Sequence, residues 1–216
     1  LSLKRRFSAI LRPDPHGPDG VYAVRSLYFD DPYGRAAEEK LAGVRDRVKY
    51  RLRLYGGDLG AVRLERKAKE GEWVRKDSLW ISPEEARELA AGDPRFLSRR
   101  EEPEARRMLS EFLSGPLRPS VLVEYTRTAH EYDIGNCRLT LDEDLRFGFH
   151  TEDFFSTCPV LLSAGTLSIL EIKFDSYLPS HIAHLAQLHD RGRAAASKFL
   201  SGAMRTPHAA GLLSAT

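Results

Sequence analysis

The stretch KYRLRLYGGDLGAVRLERKAK, residues 49–69, places a charge at nearly every second position of two strand-like runs joined by a glycine-rich turn. Lys49, Arg51 and Arg53 alternate with Tyr50, Leu52 and Leu54, and after the turn Arg63, Glu65, Lys67 and Lys69 share one phase. Side chains on a strand alternate between faces, so each run is expected to be apolar on one face and charged on the other. Gly56 to Gly60 supply the residues that tolerate a positive φ in the turn of a hairpin. A face that gathers so many cations looks either into bulk water or at something strongly anionic.

The alternation recurs. CRLTLDED (137–144) sets Cys137, Leu139 and Leu141 against Arg138, Thr140 and Asp142, and LSILEIKFD (167–175) sets Leu170, Ile172 and Phe174 against Glu171, Lys173 and Asp175. Arg127 ends a run, VLVEYTRTA (121–129), whose neighbours are Val121, Val123 and Tyr125. An antiparallel sheet packed on helices, with its other face in water, explains any one of these strands. It explains the set less well, because Lys and Arg dominate and like charges on adjacent strands repel. A closed sheet fits better: the charged faces line a lumen, the apolar faces meet surrounding helices, and the lumen requires water and a polyanion. Arginine grips phosphate oxygens with a planar fork and lysine adds point charge. The expectation is that Arg51, Arg53, Lys67, Arg127, Arg138, Glu171 and Lys173 share one lumen, each in the opposite phase from its apolar neighbours.

The 216 residues suffice for one domain or at most two, and 42% hydrophobic with 30% charged residues is a globular composition. Net charge is only +2, so a positive site must arise from clustering. No apolar run approaches the ~20 residues of a membrane-spanning helix. Cys137 and Cys158 fit neither a disulfide framework nor a zinc motif, and point to a reducing cytosol. The chain begins at Leu1 without a signal-like apolar core, and its natural beginning is expected to lie upstream.

Strands and helices come in blocks, which favours an α+β fold with a mainly antiparallel sheet. LSLKRRFSAILR spaces Leu3, Phe7, Ile10 and Leu11 like one helix face, and RPDPHGPDG breaks it. YAVRSLYFDD reads as a strand ending at Asp30, and residues 34–43 as a short helix. SPEEARELAAG carries a capping box, with Ser82 at the N-cap, Pro83 at N1, Glu85 at N3 and Gly92 as the stop. PEARRMLSEFLSG puts Ala105, Met108, Leu109, Phe112 and Leu113 on one face. A last helical region is expected from about Ser180 to Met204.

SLYFDD, YRLRLYG, LERK, YTRTA, RLTLDEDL, LEIKFD and SKFL occur in the order and at about the spacing of the VTC (vacuolar transporter chaperone) domain. The resemblance, over about residues 1–204, is to the polyphosphate polymerase branch of the CYTH, or triphosphate tunnel, superfamily. It implies a single domain over 1–216, an antiparallel β-barrel-like tunnel with a charged lumen flanked by helices. It also implies synthesis of inorganic polyphosphate from ATP with Mn²⁺ or Mg²⁺, in the cytoplasm and with a membrane-protein partner. Carried over by position, Arg51 and Arg53 match paired tunnel arginines, Lys67 the lysine of the ERK strand, Arg127 and Arg138 further tunnel arginines, and Lys198 the lysine of a closing helix. These are the catalytic candidates. Glu171 matches a metal-binding glutamate, and Lys49, Lys76 and Lys173 are candidates for phosphate contacts. The family begins with a strand bearing a Glu-x-Lys-type element, which this chain is expected to lack.

Two other readings remain open: a triphosphate or polyphosphate hydrolase of the same superfamily, and a non-catalytic polyphosphate or inositol-phosphate binding module. Common nucleotide-binding loops are missing from the sequence. His181, His184 and His189 lie close together, and a helical His pair can bind metal, but a third ligand is not evident. Lys4, Arg5 and Arg6 read as a solvated helix face, and no nucleic-acid partner is expected. Glu65 reads as a structural ion-pair partner in the lumen phase.

Overall fold

The hairpin forms as its alternation predicts, and the rest of the chain extends it. The computed structural model describes residues 3–187 and 196–205. Among them are nine strands: β1 (Arg12–Pro13), β2 (Val21–Asp30), β3 (Arg47–Tyr55), β4 (Val62–Glu70), β5 (Trp73–Ile81), β6 (Arg118–Tyr132), β7 (Cys137–Gly148), β8 (Leu162–Ser163) and β9 (Ile169–Lys173). The helices are α1 (Leu3–Ser8), α2 (Arg35–Leu41), α3 (Pro83–Ala90), α4 (Pro103–Ser114), α5 (Ser180–Leu185) and α6 (Lys198–Ala203). The fold is α+β, an antiparallel sheet flanked by helices, with hydrogen-bonded order β5-β4-β3-β2-β6-β7-β8. β1 adds to β6 and β9 to β7, and the order ends on β5 and β8 without closing. Among the described residues, no helix is long and apolar enough to cross a membrane.

The chain divides into two compact units. One comprises Leu1–Val24, Tyr125–Leu145 and Ser163–Ala196, the other Arg25–Glu124, Arg146–Leu162 and Ser197–Thr216. In the second unit β3, β4 and β5 are consecutive antiparallel neighbours. Gly56 and Gly57 take φ of 62° and 77° in the first turn, where a side chain would be strained, and Gly71 takes 57° in the second. The apolar phase of the hairpin, Leu52, Leu54, Val62 and Leu64, enters a core with Leu79, Ile81, Leu89, Met108 and Phe112. α3 starts on its capping box: Ser82 Oγ accepts from the Glu85 N–H at 3.2 Å and the Glu85 carboxylate accepts from the Ser82 N–H at 2.8 Å.

That core holds a cation. Arg66 lies between Leu64 and Ala68 on the apolar phase of β4 and is buried. It donates to Glu111 of α4 at 2.6 and 2.9 Å and to Asp77 of β5 at 3.2 Å, while the Tyr50 hydroxyl donates to Glu111 at 2.7 Å. A buried ion pair adds little net stability against an apolar equivalent, but a wrong register would strand a charge. Arg66 therefore fixes α4 to the three strands in one alignment, and so fixes which side chains of β3 to β5 emerge on the opposite face.

In the first unit, Phe7 of α1 and Ile182 of α5, with Leu11 and Ala186 just beyond those helices, form a smaller core with Cys137 and Leu139 of β7. Arg138 lies opposite Lys173, Thr140 opposite Glu171, and Asp142 opposite Ile169.

Four expectations are corrected. α1 ends at Ser8 in a tightened turn, in which the Ile10 and Leu11 N–H groups both donate to the Phe7 carbonyl, and Ile10 is left exposed rather than on a buried helix face. Leu113 also stays exposed, since the face of α4 that meets the sheet is the narrower one of Ala105, Met108 and Phe112. Arg127 shares the phase of Val121, Val123 and Tyr125 instead of opposing it, so one face of β6 carries three apolar or aromatic side chains and then a cation. The last helical region is two short helices, α5 and α6, among the described residues; residues 188–195, with His189, lie outside them.

Candidate phosphate-binding site

The register of β3, β4 and β5 turns the charged phase into transverse rows within the second unit, of which three carry the candidate residues. Arg53, Arg63 and Trp80 form one row; Arg51, Glu65 and Ser78 the next; Lys49, Lys67 and Lys76 the third. Directly opposed residues share a face, with side chains about 5 Å apart. Lys76 lies opposite Lys67 and is exposed.

Glu65 organises the centre. Arg51 Nε donates to it at 2.5 Å, and Arg53 and Arg63 lie 3.7 and 3.8 Å away. Burial disfavours its charge, but Arg51 and Arg53 overcome burial and hold the carboxyl below its ordinary range. This is the ion-pairing role the sequence predicts for Glu65.

Strand β2 adds side chains that sequence reasoning missed. Ser26 accepts from Arg53 Nε at 3.1 Å, and the Tyr28 hydroxyl accepts from Arg51 at 3.2 Å. Burial would raise the Tyr28 phenol, yet Arg51, Arg53 and Lys198 together pull it below its ordinary value. The local potential is strongly positive. α6 reaches the same face: its N-cap Ser197 accepts from Lys49 Nζ at 3.3 Å, and that ammonium lies 4.8 Å above the Phe199 ring. Burial, then the neighbouring Lys40, Arg47, Lys67 and Arg51, push the Lys49 ammonium down to about 8. The signal for β2 was present in VYAVRSLYFD, where Tyr22, Ser26 and Tyr28 share one phase.

The first unit has a cluster of its own. Arg127 binds Asp142 through two parallel bonds of 2.7 and 2.9 Å, and its guanidinium lies 5.4 Å from the Tyr125 ring. Arg138 donates to the Asp14 carboxylate and to the Tyr22 hydroxyl, the latter at 3.1 Å. Asp14 is fully buried and also accepts from the His16 N–H at 2.8 Å and its ring at 2.5 Å. It came from RPDPHGPDG, read in the sequence only as a helix breaker. Glu171 lies 3.5 Å from Lys173.

Among the described residues, no three His, Cys, Asp or Glu side chains are placed to hold a metal ion. Glu65, Asp142 and Asp14 are each committed to arginine, and the His181 ring packs edge-on against Tyr132 at 5.3 Å. Among the described residues these donors do not assemble a resident metal site. A cavity of about 440 Å³ in the second unit, lined by Asp30, Asp31, Glu39, Arg47 and Lys69 among others, is mixed in sign and unsuited to a polyanion.

Cation rows on one sheet phase, with Glu65 among them, are what the sequence led us to expect, whereas the phenol and hydroxyl acceptors of β2 are the structure's addition. The family model of the VTC domain matches residues 1–206. The chain belongs to the VTC-domain family. Comparison with curated proteins returns no match. Among solved structures, this VTC domain is similar to a Hippeastrum protein described as an adenylyl cyclase candidate with a dominant triphosphatase activity. Identity is 18%, coverage 65% of this chain and 66% of that one, just under two thirds, and the TM-score 0.43. It is also similar to a Bacillus halodurans protein described as a candidate adenylate cyclase, at 14% identity, 88% coverage of each chain and a TM-score of 0.48. A Pyrococcus horikoshii OT3 protein aligns at 12% identity, over 84% of this chain and 76% of that one, with a TM-score of 0.40.

Proposed function

We propose that this VTC domain is a polyphosphate polymerase that transfers the γ-phosphoryl group of ATP to the end of a growing inorganic polyphosphate chain. The observation that carries the reading is the set of rows built on Lys49, Arg51, Arg53, Arg63, Lys67 and Lys76. An oxygen of the chain's terminal phosphate forms a bond to the γ-phosphorus. The bond from that phosphorus to the β,γ-bridging oxygen breaks, and ADP leaves with the electron pair. Such transfer needs positioning and charge stabilisation rather than a covalent intermediate.

In this reading Arg51, Arg53, Lys67 and Lys198 hold the reacting phosphates, with Lys49 and Lys76 as further contacts. Arg127, Arg138 and Lys173 of the other unit are assigned to phosphate as well. A divalent cation, Mn²⁺ or Mg²⁺, belongs to the substrate as the counter-ion of ATP, and Glu171 is the carboxylate assigned to meet it. Glu65 is committed to Arg51 and Arg53 and serves in this reading to order the arginines. Cytoplasmic ATP and a membrane-protein partner complete the proposal.

Incubation with ATP and Mn²⁺, with products sized on a gel, tests it. Long chains are expected. Free phosphate alone would select the hydrolase, and no turnover with retained polyphosphate binding would select the binding module.

A further inference from the structure

An indole sits in a row of cations. On β5 the phase of Asp77, Leu79 and Ile81 is buried, whereas Lys76, Ser78 and Trp80 emerge on the charged face, and Trp80 is 57% exposed. Trp80 lies directly opposite Arg63, whose guanidinium is 5.5 Å from the indole ring. Arg63 is itself fixed, donating to Ser78 Oγ at 2.9 Å and lying 3.8 Å from Glu65.

The face of an aromatic ring is electron-rich and repels an oxyanion. Trp80 is therefore out of place on a surface for bare polyphosphate, and an exposed aromatic on a strand at the end of a sheet invites aggregation. A flat, uncharged base suits it. We propose that Trp80, with Arg63 beside it, is the platform on which the nucleobase of the phosphate donor stacks. The inference rests on the reading of the cation rows as a phosphate site.

The register sets the scale. Adjacent strands lie about 4.8 Å apart, so Trp80 is about 10 Å from Arg53, two strands away in the same row. That is a gap the ribose of a nucleotide bridges between its base and its phosphates. The base at Trp80 thus delivers the phosphates toward Arg53 and Arg51. Trp80 marks the row end that receives ATP, and the bare acceptor chain has no use for it. Stacking tolerates any base, so the site selects nucleotides over inorganic phosphates more strongly than it selects among bases.

The chain has two tryptophans, so Trp73→Phe leaves Trp80 as the only one. In that background a non-hydrolysable ATP analogue is expected to change the tryptophan fluorescence, and tripolyphosphate to leave it nearly unchanged. Trp80→Ala is expected to weaken the analogue about tenfold and to leave tripolyphosphate affinity within twofold, with Trp80→Phe recovering most of the loss. Unchanged affinity for the analogue in Trp80→Ala, or equal weakening of both ligands, overturns the inference while the phosphate site stands. Wild-type protein that binds neither ligand overturns the phosphate site and this inference with it.

Discussion

Replacing Arg51 and Arg53 by alanine, with Glu65→Gln in the same chain, is expected to weaken tripolyphosphate binding by at least about a hundredfold and to end chain synthesis. Each arginine offers charge-assisted hydrogen bonds worth roughly 1.5–3 kcal/mol, so losing both costs about 3 kcal/mol or more. The third substitution is needed because Glu65 is partly buried and leans on both arginines. Left with Arg63 as its remaining neighbour at 3.8 Å, the carboxylate would be under-compensated, and lost binding would be mixed with lost stability. Removing all three charges together is expected to keep thermal unfolding near that of the wild type. Glu65→Gln by itself is expected to act the other way, tightening tripolyphosphate while lowering stability, because Arg51, Arg53 and Arg63 lose their shared counter-charge. Titration calorimetry on the folded variants reads both. Affinity within about threefold of wild type in the triple variant would remove this face from the phosphate site.

Lys49→Met is expected to stabilise the protein and to weaken tripolyphosphate binding about tenfold. The Lys49 ammonium is pushed down to about 8 by burial and by its cationic neighbours. Its folded value is below its unfolded one, so the burden is complete below pH 8 and lifts as pH rises toward 10.5, where the side chain is neutral in both states. The displacement amounts to an upper bound of roughly 3 kcal/mol. Methionine keeps the apolar stem against Phe199 and sheds the charge. A rise of several degrees in melting temperature at pH 7 is the expected reading. A bound polyanion should return the Lys49 value toward 10.5, so near pH 8.5 binding is expected to take up protons and to weaken as pH rises. Calorimetry in buffers of different ionisation heat measures that uptake. A cation that stabilised the fold and left affinity unmoved would be structural.

The sheet was legible because the sequence repeats a period of two, and the hairpin at 49–69 carries that period along both strands except at Arg66. The capped helix at Ser82 was equally plain, since its signals are local. Three features were not. β5 carries buried Asp77 between exposed Lys76 and Ser78, so its apolar phase begins only at Leu79, and the tight turn at Gly71 has one glycine to announce it. Arg66 breaks the alternation of β4 because a distant residue, Glu111, compensates its burial, which no local pattern can show. Along β6 both phases are buried from Val121 to Tyr125, so alternation no longer tells the faces apart, and Val121, Val123 and Tyr125 share the face of Arg127 instead of opposing it.

The site divides in the same manner. Lys49, Arg51, Arg53 and Lys67 stood out because they lie two apart on paired strands. Lys198 came from the family motif SKFL, and Tyr28 links it to Arg51 and Arg53. Asp14, Ser26 and Tyr28 were passed over because one polar side chain in a loop or an aromatic strand says nothing until its partner is placed.

A crystal structure of the protein soaked with tripolyphosphate tests the central claim most directly. The account predicts phosphate oxygens within hydrogen-bonding distance of Arg51 and Arg53, on the face that carries Lys67 and Tyr28. Phosphate bound elsewhere, with the Arg51 and Arg53 guanidiniums still turned to Glu65 and Ser26 and untouched by it, would contradict the account.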